Sequence, residues 1–322
     1  MNLHQSMIHR IMNSKTAPTP KPEPDRYPSR GGLPAQLSKR LDPVVYAAEN
    51  SPAPIERERV KEYEQQGFLI LDNLFSDEEV HRFQQELERL RRNDKIAASG
   101  ETIIEPGSGD IRSIFRIHQI SPVFKKLAED RRLAGLAQYL LDDEVYIHQS
   151  RLNYKPGFRG KEFYWHSDFE TWHVEDGLPA MRTLSMSITL TENHLANGPL
   201  MLIPGSHQHY VVCEGETPAN HFKSSLRKQE YGVPSDHCLN QLADAGGIVT
   251  ATGKPGSVIL FDCNTMHGSN GNITPYPRSN AFFVYNALSN RAVDPFCDQP
   301  PRPEYICSRK TIAPVIVAPK GE

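Results

Sequence analysis

The stretch Leu133-Ala-Gly-Leu-Ala-Gln-Tyr-Leu-Leu-Asp-Asp-Glu-Val-Tyr-Ile-His-Gln-Ser-Arg-Leu-Asn-Tyr154 contains the change of pattern that decides the fold. Its first part places apolar residues at positions 133, 136, 137 and 140, which is the spacing of one helix face. From residue 145 onward this helical spacing is lost, and the run reads as a strand. We therefore predict helix up to about residue 141 and strand from residue 145.

Working outward from this stretch, the pattern predicts helices on the N-terminal side and strands on the C-terminal side. A short helix ends at Gly67 and is followed by the strand Phe68–Leu71. Ser76-Asp-Glu-Glu79 is a capping box that begins a helix over 77–92, and Ser121-Pro122 begins another helical stretch. Candidate strands are 145–154, 183–191, 200–203, 257–262 and 278–287. Helices followed by strands predict an α+β fold that is mainly β, with a sandwich or barrel.

Length and composition exclude several classes of protein. The 322 residues are 38% hydrophobic and 23% charged, which is enough for the core of one large domain or two small ones. A net charge of −3 gives no basic field for nucleic acid or an anionic membrane, and no apolar run reaches the ~18 residues of a membrane span. Five scattered cysteines without a CxxC pair predict reduced thiols in a cytoplasmic protein. The N-terminus has no apolar secretory-signal region.

The N-terminal residues differ in composition from the rest of the chain. Prolines are frequent up to residue 55, and large apolar residues are few. We predict that residues 1–25 form a disordered extension and that residues 26–55 form an irregular arm that packs on the body of the protein.

Trp165-His166-Ser167-Asp168 is the strongest local signal for chemistry. On an extended backbone, His166 and Asp168 point to the same face and can bind one metal ion together. His267 follows an apolar strand and is the best candidate for a third ligand. Two histidines and a carboxylate form the facial set of non-haem Fe(II) oxygenases. The two-residue motif alone also arises by chance, and most of the other histidines read as surface or structural residues.

Arg278 opens the strand that follows His267. Its planar guanidinium is suited to the far carboxylate of a dicarboxylate whose other end binds the metal. A solvated arginine after a proline-rich turn is the alternative. Over residues 146–155, one predicted face reads Ile147, Gln149, Arg151, Asn153 and Lys155. This row is compatible with a polar-lined interior, and a solvent-facing row is the alternative. Arg278, Asn280 and Phe282 are likewise predicted to share a face.

Aromatic residues are frequent near the proposed ligands, and both tryptophans, Trp165 and Trp172, lie close to His166 in the sequence. Aromatic walls can bind a compact cation by cation–π attraction. Packing in the core is the alternative role, and for Trp165 we favour it.

These residues resemble a known family. The stretch Phe163-Tyr-Trp-His-Ser-Asp-Phe-Glu-Thr-Trp-His-Val-Glu-Asp-Gly-Leu-Pro179 resembles the signature of the ectoine-hydroxylating branch of the phytanoyl-CoA dioxygenase family, whose members are Fe(II)- and 2-oxoglutarate-dependent oxygenases. Further similar segments are Tyr27–Arg30, Asp42–Val45, Asn197–Met201 and Ile203–His207. The resemblance covers about residues 26–305.

The resemblance implies a fold, a reaction and a set of site residues. The fold is a double-stranded β-helix (a jelly-roll or cupin-like core) with flanking N-terminal helices, in one domain over 26–322. The reaction converts ectoine to 5-hydroxyectoine with O₂ and 2-oxoglutarate, releasing succinate and CO₂ for compatible-solute biosynthesis. A homodimer is implied as well. The implied Fe(II) ligands, which are also the catalytic residues, are His166, Asp168 and His267. The implied 2-oxoglutarate residues are Asn153, Lys155, Phe163, Ser185 and Arg278. The implied ectoine residues are Gln149, Arg151, Thr171, Trp172, Phe261, Ser269, Asn280 and Phe282.

Three other functions remain open at this point. The same oxygenase chemistry on another small zwitterion such as proline is the first, and a non-catalytic jelly-roll binding protein is the second. A Zn(II) hydrolase with two histidines and an aspartate is the third. Arg278 and the lack of an obvious general base near His166 argue against the hydrolase.

Overall fold

The computed structural model describes residues 24–104, 109–226, 230–310 and 312–319. Most of the predicted N-terminal extension, residues 1–23, lies outside the described residues. The predicted arm is largely irregular but contains one short strand.

Helices occupy mainly the N-terminal part of the chain. They are α1 Arg57–Gln66, α2 Asp77–Arg91, α3 Asp94–Ala97, α4 Ile117–Ile120, α5 Pro122–Ala128, α6 Leu136–Leu141, α7 Asp168–Asp176, α8 Phe222–Ser225 and α9 Asp236–Gly246. A π-helical turn, Arg131–Gly135, lies between α5 and α6, and 3₁₀ turns cover Ser206–Gln208 and Leu288–Asn290. The predicted capping box at Ser76 and the predicted helix end at Gly67 are confirmed.

The strands form antiparallel sheets. They are β1 Gln36–Lys39, β2 Phe68–Leu71, β3 Thr102–Ile104, β4 Ile111–Phe115, β5 Val145–Lys155, β6 Phe163–His166, β7 Thr183–Thr189, β8 Leu200–Leu202, β9 His209–Val212, β10 Val249–Ala251, β11 Val258–Asp262, β12 His267–Ser269 and β13 Arg278–Ala287. A seven-stranded sheet has the order β2-β11-β7-β13-β5-β4-β3, and a four-stranded sheet has the order β10-β8-β12-β6. The pair β1-β9 stands apart. Two antiparallel sheets with this strand order form the predicted double-stranded β-helix core.

The two faces of the seven-stranded sheet have different roles. On β7, Leu184, Met186 and Ile188 belong to the large apolar cluster that also contains residues of α2, α5 and α6. The alternate residues Ser185 and Ser187 are buried on the opposite face. The apolar face thus packs on the helices, and the polar face lines the space between the sheets, where a polar ligand can be bound.

One detail of the predicted face on β5 is wrong. Tyr285 pairs with Ile147 and the preceding Val284 pairs with Gln149, so His148 is the extra residue of a β-bulge. The bulge moves Ile147 to the helix-packed face, where it joins the large apolar cluster. Gln149 and the odd-numbered residues after it keep the other face.

Gly67 connects α1 to β2 in a conformation that favours glycine. Its φ is 83°, and a Cβ there would lie 2.4 Å from the imidazole Nδ1 of His207. The left-handed conformation alone costs a non-glycine residue about 1–2 kcal/mol, and the clash adds to this. We therefore expect Gly67→Ala to lower the free energy of unfolding by at least about 2 kcal/mol in a urea titration.

Gly205→Ala is the matched control for this substitution. Its φ is 76°, but the nearest atom to an added methyl group would be 4.0 Å away. It should therefore show the conformational cost without the clash. Equal losses for the two variants would contradict the role given to His207.

The described helices include none that is long and apolar enough to cross a membrane. The five cysteines all lie in the described part, and none forms a disulfide there.

Candidate metal centre and ligand pocket

Three side chains from three elements meet at one point between the sheets. His166 ends β6, Asp168 begins α7, and His267 begins β12. Strands β6 and β12 are paired with His267 directly opposite His166. The Nε2 atoms of His166 and His267 lie 3.7 Å and 4.0 Å from the same carboxylate oxygen of Asp168, Oδ1. One ion can therefore be reached by all three groups.

The local backbone differs from the continuous strand predicted for His166 and Asp168. Ser167 has extended angles, with φ −103° and ψ 139°, but it is the N-cap of α7 rather than a strand residue. One extended residue is enough to turn both ligands toward the same side. The predicted convergence is present, while the predicted strand ends at His166.

The two imidazole rings are oriented by backbone carbonyl oxygens. The Nδ1 of His166 lies 2.8 Å from the Tyr164 carbonyl oxygen, and the Nδ1 of His267 lies 2.9 Å from the Thr265 carbonyl oxygen. A carbonyl only accepts, so each Nδ1 carries a proton and each ring turns its Nε2 toward Asp168. Burial, followed by the nearby His267, lowers the pKa of His166 to about 3, so its ring is neutral at physiological pH.

The donor set fits a divalent transition metal. Two neutral imidazoles and one carboxylate leave further coordination positions open, as in non-haem Fe(II) sites. A second cluster, formed by His148, Asp176 and Cys307, does not fit a cation equally well. The Arg302 guanidinium bonds both oxygens of Asp176, at 2.7 Å and 2.5 Å, and so already supplies the positive charge there.

The pocket beside the three ligands is lined by cations. Five of its lining residues are arginine or lysine: Arg112, Arg151, Lys155, Lys161 and Arg278. None of the described lining residues is an aspartate or glutamate. Such a lining is suited to ligands that carry several carboxylates.

Two of these arginines have buried donor atoms with no hydrogen-bond partner among the described residues. They are the Nε atoms of Arg151 and Arg278. Burial lowers the pKa of Arg278 to about 10, which still leaves it charged at neutral pH, and burial also lowers the pKa of Arg151. A buried guanidinium nitrogen without a hydrogen-bond partner is costly. Both side chains are therefore placed to receive an anion.

The residues predicted for 2-oxoglutarate lie around the proposed metal ligands. Lys155, Asn153, Phe163 and Arg278 line the pocket, and Arg278 is paired with Lys155 across β13 and β5. Lys155 Nζ donates to Ser269 Oγ at 3.0 Å. Ser185 does not line the pocket, and its hydroxyl instead donates to Asp168 Oδ2 at 3.4 Å.

The residues predicted for ectoine are brought together only in part. Arg151, Ser269 and Phe282 line the pocket, and the Arg151 guanidinium lies 5.2 Å from the Phe282 ring centroid. Phe261 packs against the His267 ring at 5.0 Å. The remaining four are buried but do not line this pocket: Gln149, Thr171, Trp172 and Asn280. Gln149 accepts from Arg151 at 2.9 Å and donates to the Ile306 carbonyl at 2.8 Å.

The sequence analysis does not single out several of the residues that line the pocket. They are Arg112, Phe115, Lys161, Leu200 and Leu226. The first two belong to β4, a five-residue strand that pairs with β5 and places Phe115 opposite Arg151. The sequence signal for β4 is a short apolar run, Ile111–Phe115, that contains one arginine. Such a run is too short to distinguish a strand from a loop.

Comparison with known proteins identifies the family. The family model described as phytanoyl-CoA dioxygenase (PhyH) matches residues 63–280, which include all three proposed ligands. The chain belongs to the phytanoyl-CoA dioxygenase family. The ectoine dioxygenase of Stutzerimonas stutzeri (strain A1501) is 55% identical over 296 residues, covering 92% of this chain and 98% of that protein. That of Sphingopyxis alaskensis is 58% identical over 286 residues, covering 88% and 93%.

Solved structures of other proteins are also similar to this chain. EctD from S. alaskensis, in a crystal structure with 2-oxoglutarate and 5-hydroxyectoine, has a TM-score of 0.84 and 51% identity. The alignment covers 92% of this chain and 98% of that one. The same protein with bound Fe has a TM-score of 0.82. The double-stranded β-helix fold is thus confirmed.

Proposed function

We propose that this protein is an Fe(II)- and 2-oxoglutarate-dependent dioxygenase that hydroxylates ectoine to 5-hydroxyectoine. The observation that carries the proposal is a three-ligand centre beside a pocket lined by cations, in a chain about half identical to ectoine dioxygenases over nearly its full length. Hydroxyectoine formation places the protein in compatible-solute biosynthesis and the response to osmotic stress.

His166, Asp168 and His267 would hold the iron. When bound, iron(II) supplies the redox chemistry that couples O₂ and the decarboxylation of 2-oxoglutarate, to succinate and CO₂, to hydroxylation of a substrate C–H bond. The carbonyl oxygens of Tyr164 and Thr265 accept from the two Nδ1 atoms and so direct each Nε2 atom toward the proposed iron position. Ser185 donates to Asp168 Oδ2 and so helps to orient the carboxylate.

Arg278 would bind the distal carboxylate of 2-oxoglutarate through its planar fork. Its unpartnered Nε and the absence of a protein carboxylate in the described pocket lining support this role. Lys155 and Asn153 lie on the neighbouring strand and add a charge and an amide on the same side. Phe163, whose ring lies 4.9 Å from that of His166, would screen the cosubstrate from water.

Ectoine is a small ring with a carboxylate and a delocalised amidinium cation. Arg151 would bind the carboxylate, because its Nε is buried without a partner and its Nη1 is held by Gln149. Phe282 and Trp172 offer aromatic surface for the flat cation. Thr171, Phe261, Ser269 and Asn280 would complete the substrate side. Such a polar solute needs fixed polar partners, since removing its water is costly.

The cellular setting is part of the same proposal. Five unpaired cysteines support a reducing, cytoplasmic location. The family resemblance supports a homodimer, which light scattering of the purified protein measures.

The function is tested by mass spectrometry of ectoine incubated with the protein, Fe(II), 2-oxoglutarate and ¹⁸O₂. One labelled oxygen should appear in the product and one in succinate. Labelled hydroxyproline from proline, with ectoine unchanged, would move the substrate assignment to another zwitterion. No succinate and no visible charge-transfer band with anaerobic Fe(II) and 2-oxoglutarate would favour a binding protein, and activity with zinc alone would favour a hydrolase.

Trp172→Ala is expected to weaken ectoine binding while leaving iron in place. The ring is 4% exposed and packs edge-on against His148 at 5.3 Å. Losing a desolvated cation–π contact of about 1–2 kcal/mol should raise the KM for ectoine about tenfold. Trp172→Phe keeps an aromatic face and should recover part of the loss. An unchanged KM in the folded alanine variant would restrict Trp172 to core packing.

A further inference from the structure

Two arginines of the N-terminal arm, residues 26–55, are buried in the body of the protein. Arg30 is 2% exposed and Arg40 is 5% exposed. Both lie outside the segment matched by the family model, which begins at residue 63. Each makes a two-pronged ion pair with a carboxylate near the metal centre, Arg30 with Glu170 and Arg40 with Asp262.

Arg30 holds helix α7, which begins with the ligand Asp168. Its Nε and Nη2 donate to the two oxygens of Glu170 at 2.9 Å and 2.7 Å. Its Nη1 donates to Glu175 at 2.7 Å. Ser29 adds a hydroxyl bond to Glu170 at 2.8 Å. One side chain therefore bonds two carboxylates on successive turns of the helix.

Arg40 holds the turn between β11 and β12, which leads to the ligand His267. Its Nη1 and Nη2 donate to the two oxygens of Asp262 at 2.7 Å and 3.0 Å. The carbonyl of Asp262 in turn accepts from the Thr265 amide at 3.0 Å. The carbonyl of Thr265 is the one that orients the His267 ring. Three successive contacts thus connect the arm to a metal ligand.

The two arginines act on one connected unit. The amide of Phe169, the residue after Asp168, donates to the Cys263 carbonyl, the residue after Asp262, at 2.8 Å. Helix α7 and the turn before β12 are therefore joined next to the ligands that they carry. Without the guanidinium groups, the buried carboxylates of Glu170 and Asp262 would lose their two-pronged positive partners and would draw water or shift toward solvent.

We propose that Arg30 and Arg40 are positioning residues that fix Asp168 and His267 at the separation the metal requires, acting through Glu170 and Asp262. The proposal rests on the metal-dependent function given above. The N-terminal arm would therefore help to position the metal ligands.

The test uses Arg30→Lys and Arg40→Lys in the full-length protein. Lysine keeps the charge but cannot bond both oxygens of a carboxylate through a planar fork. Anaerobic titration with Fe(II) in the presence of 2-oxoglutarate should show iron binding weakened by about 10–100-fold, the usual effect of losing an outer contact of a metal ligand. The visible charge-transfer band should shift. In turnover, the ratio of succinate to hydroxyectoine should rise above the wild-type value, because a displaced centre oxidises 2-oxoglutarate without hydroxylating the substrate.

Arg132→Lys is the matched control. Arg132 also bonds two carboxylates, those of Glu79 and Asp130, each at 2.6 Å, but these lie in the helical layer. This variant should lose thermal stability while iron affinity, band position and product ratio stay at wild-type values. The band position and the product ratio do not depend on how much of the sample is folded, once they are expressed per bound iron.

The proposal is overturned if the arm variants lose stability as Arg132→Lys does but keep wild-type iron affinity and product ratio. If a lysine variant does not fold, Glu170→Gln decides for α7, since its amide cannot accept both bonds from Arg30. Wild-type iron affinity in that variant would overturn the role of Arg30. Iron affinity is measured without ectoine. Weakened iron binding in the variants, with a wild-type protein that leaves ectoine unchanged, would therefore reject the substrate and retain the positioning role.

Discussion

Asp168→Ala is expected to abolish tight iron binding and to lower turnover by on the order of 1000-fold or more, because metal catalysis contributes several kcal/mol and about 1.4 kcal/mol changes a rate tenfold. Asp168 offers the anionic oxygen that lies nearest to both histidine Nε2 atoms. Without it, two neutral imidazoles remain. Iron content after anaerobic loading and gel filtration, together with hydroxyectoine formation, measures both effects.

Asp236→Ala is the matched control for this variant. Asp236 is the first residue of α9, as Asp168 is of α7, and each contributes a negative charge to the positive end of its helix. Asp236 is exposed and lies away from the pocket. Its replacement should lower the free energy of unfolding only slightly, through the lost charge at the helix N-terminus, and should leave iron loading unchanged. An Asp168→Ala protein that loads iron and turns over normally would remove Asp168 from the metal centre.

Arg278→Ala is expected to raise the KM for 2-oxoglutarate by about 10–100-fold and to change the KM for ectoine far less. Hydrogen bonds to charged groups contribute about 1.5–3 kcal/mol each, and 1.4 kcal/mol is a factor of ten. The effect is directed at the cosubstrate because Arg278 pairs with Lys155 at the start of β13, whereas Arg151 lies further along the sheet, opposite Phe282. Initial rates with one substrate varied and the other saturating separate the two constants.

Two further variants show whether 2-oxoglutarate binding needs the planar guanidinium of Arg278 or only a positive charge. Arg278→Lys keeps a cation in the pocket, so it should recover only part of the affinity. Arg112→Ala removes a different cation from the same lining. If Arg112→Ala raises the KM for 2-oxoglutarate as much as Arg278→Ala does, the pocket attracts the dicarboxylate through its general positive potential. A larger rise in the KM for ectoine than for 2-oxoglutarate would assign Arg278 to the other ligand.

Much of the fold was predictable because local patterns and tertiary packing agree. The capping box at Ser76, the helix end at Gly67 and the strand 278–287 appear where the sequence places them. Errors arise where a tertiary contact overrides a local pattern. The bulge at His148 displaces Ile147 to the apolar side, and strands such as β4 and β12 are too short to carry a period of their own.

The proposed site was predictable to a different degree in each of its parts. The spacing of His166 and Asp168 by itself indicates that the two side chains can bind one metal ion. One extended residue between them turns both side chains to the same side. The resemblance to the family then implied the cosubstrate and substrate residues. Arg112 and Phe115 were missed, since their place beside β5 depends on a pairing between strands far apart in sequence. The roles of the individual pocket residues remain predictions that the variants above test.

The amino-acid sequence by itself determined the class of the fold, the ligand types and the reaction family, because residue chemistry and short spacings are local properties. The tertiary structure alone decided that His267 stands opposite His166 across two short strands and that Arg278 faces the same pocket. It also decided that two arm arginines lie buried against carboxylates about 140 and 222 positions away. Such contacts depend on how the sheets close on each other, and no local pattern in the chain specifies that closure.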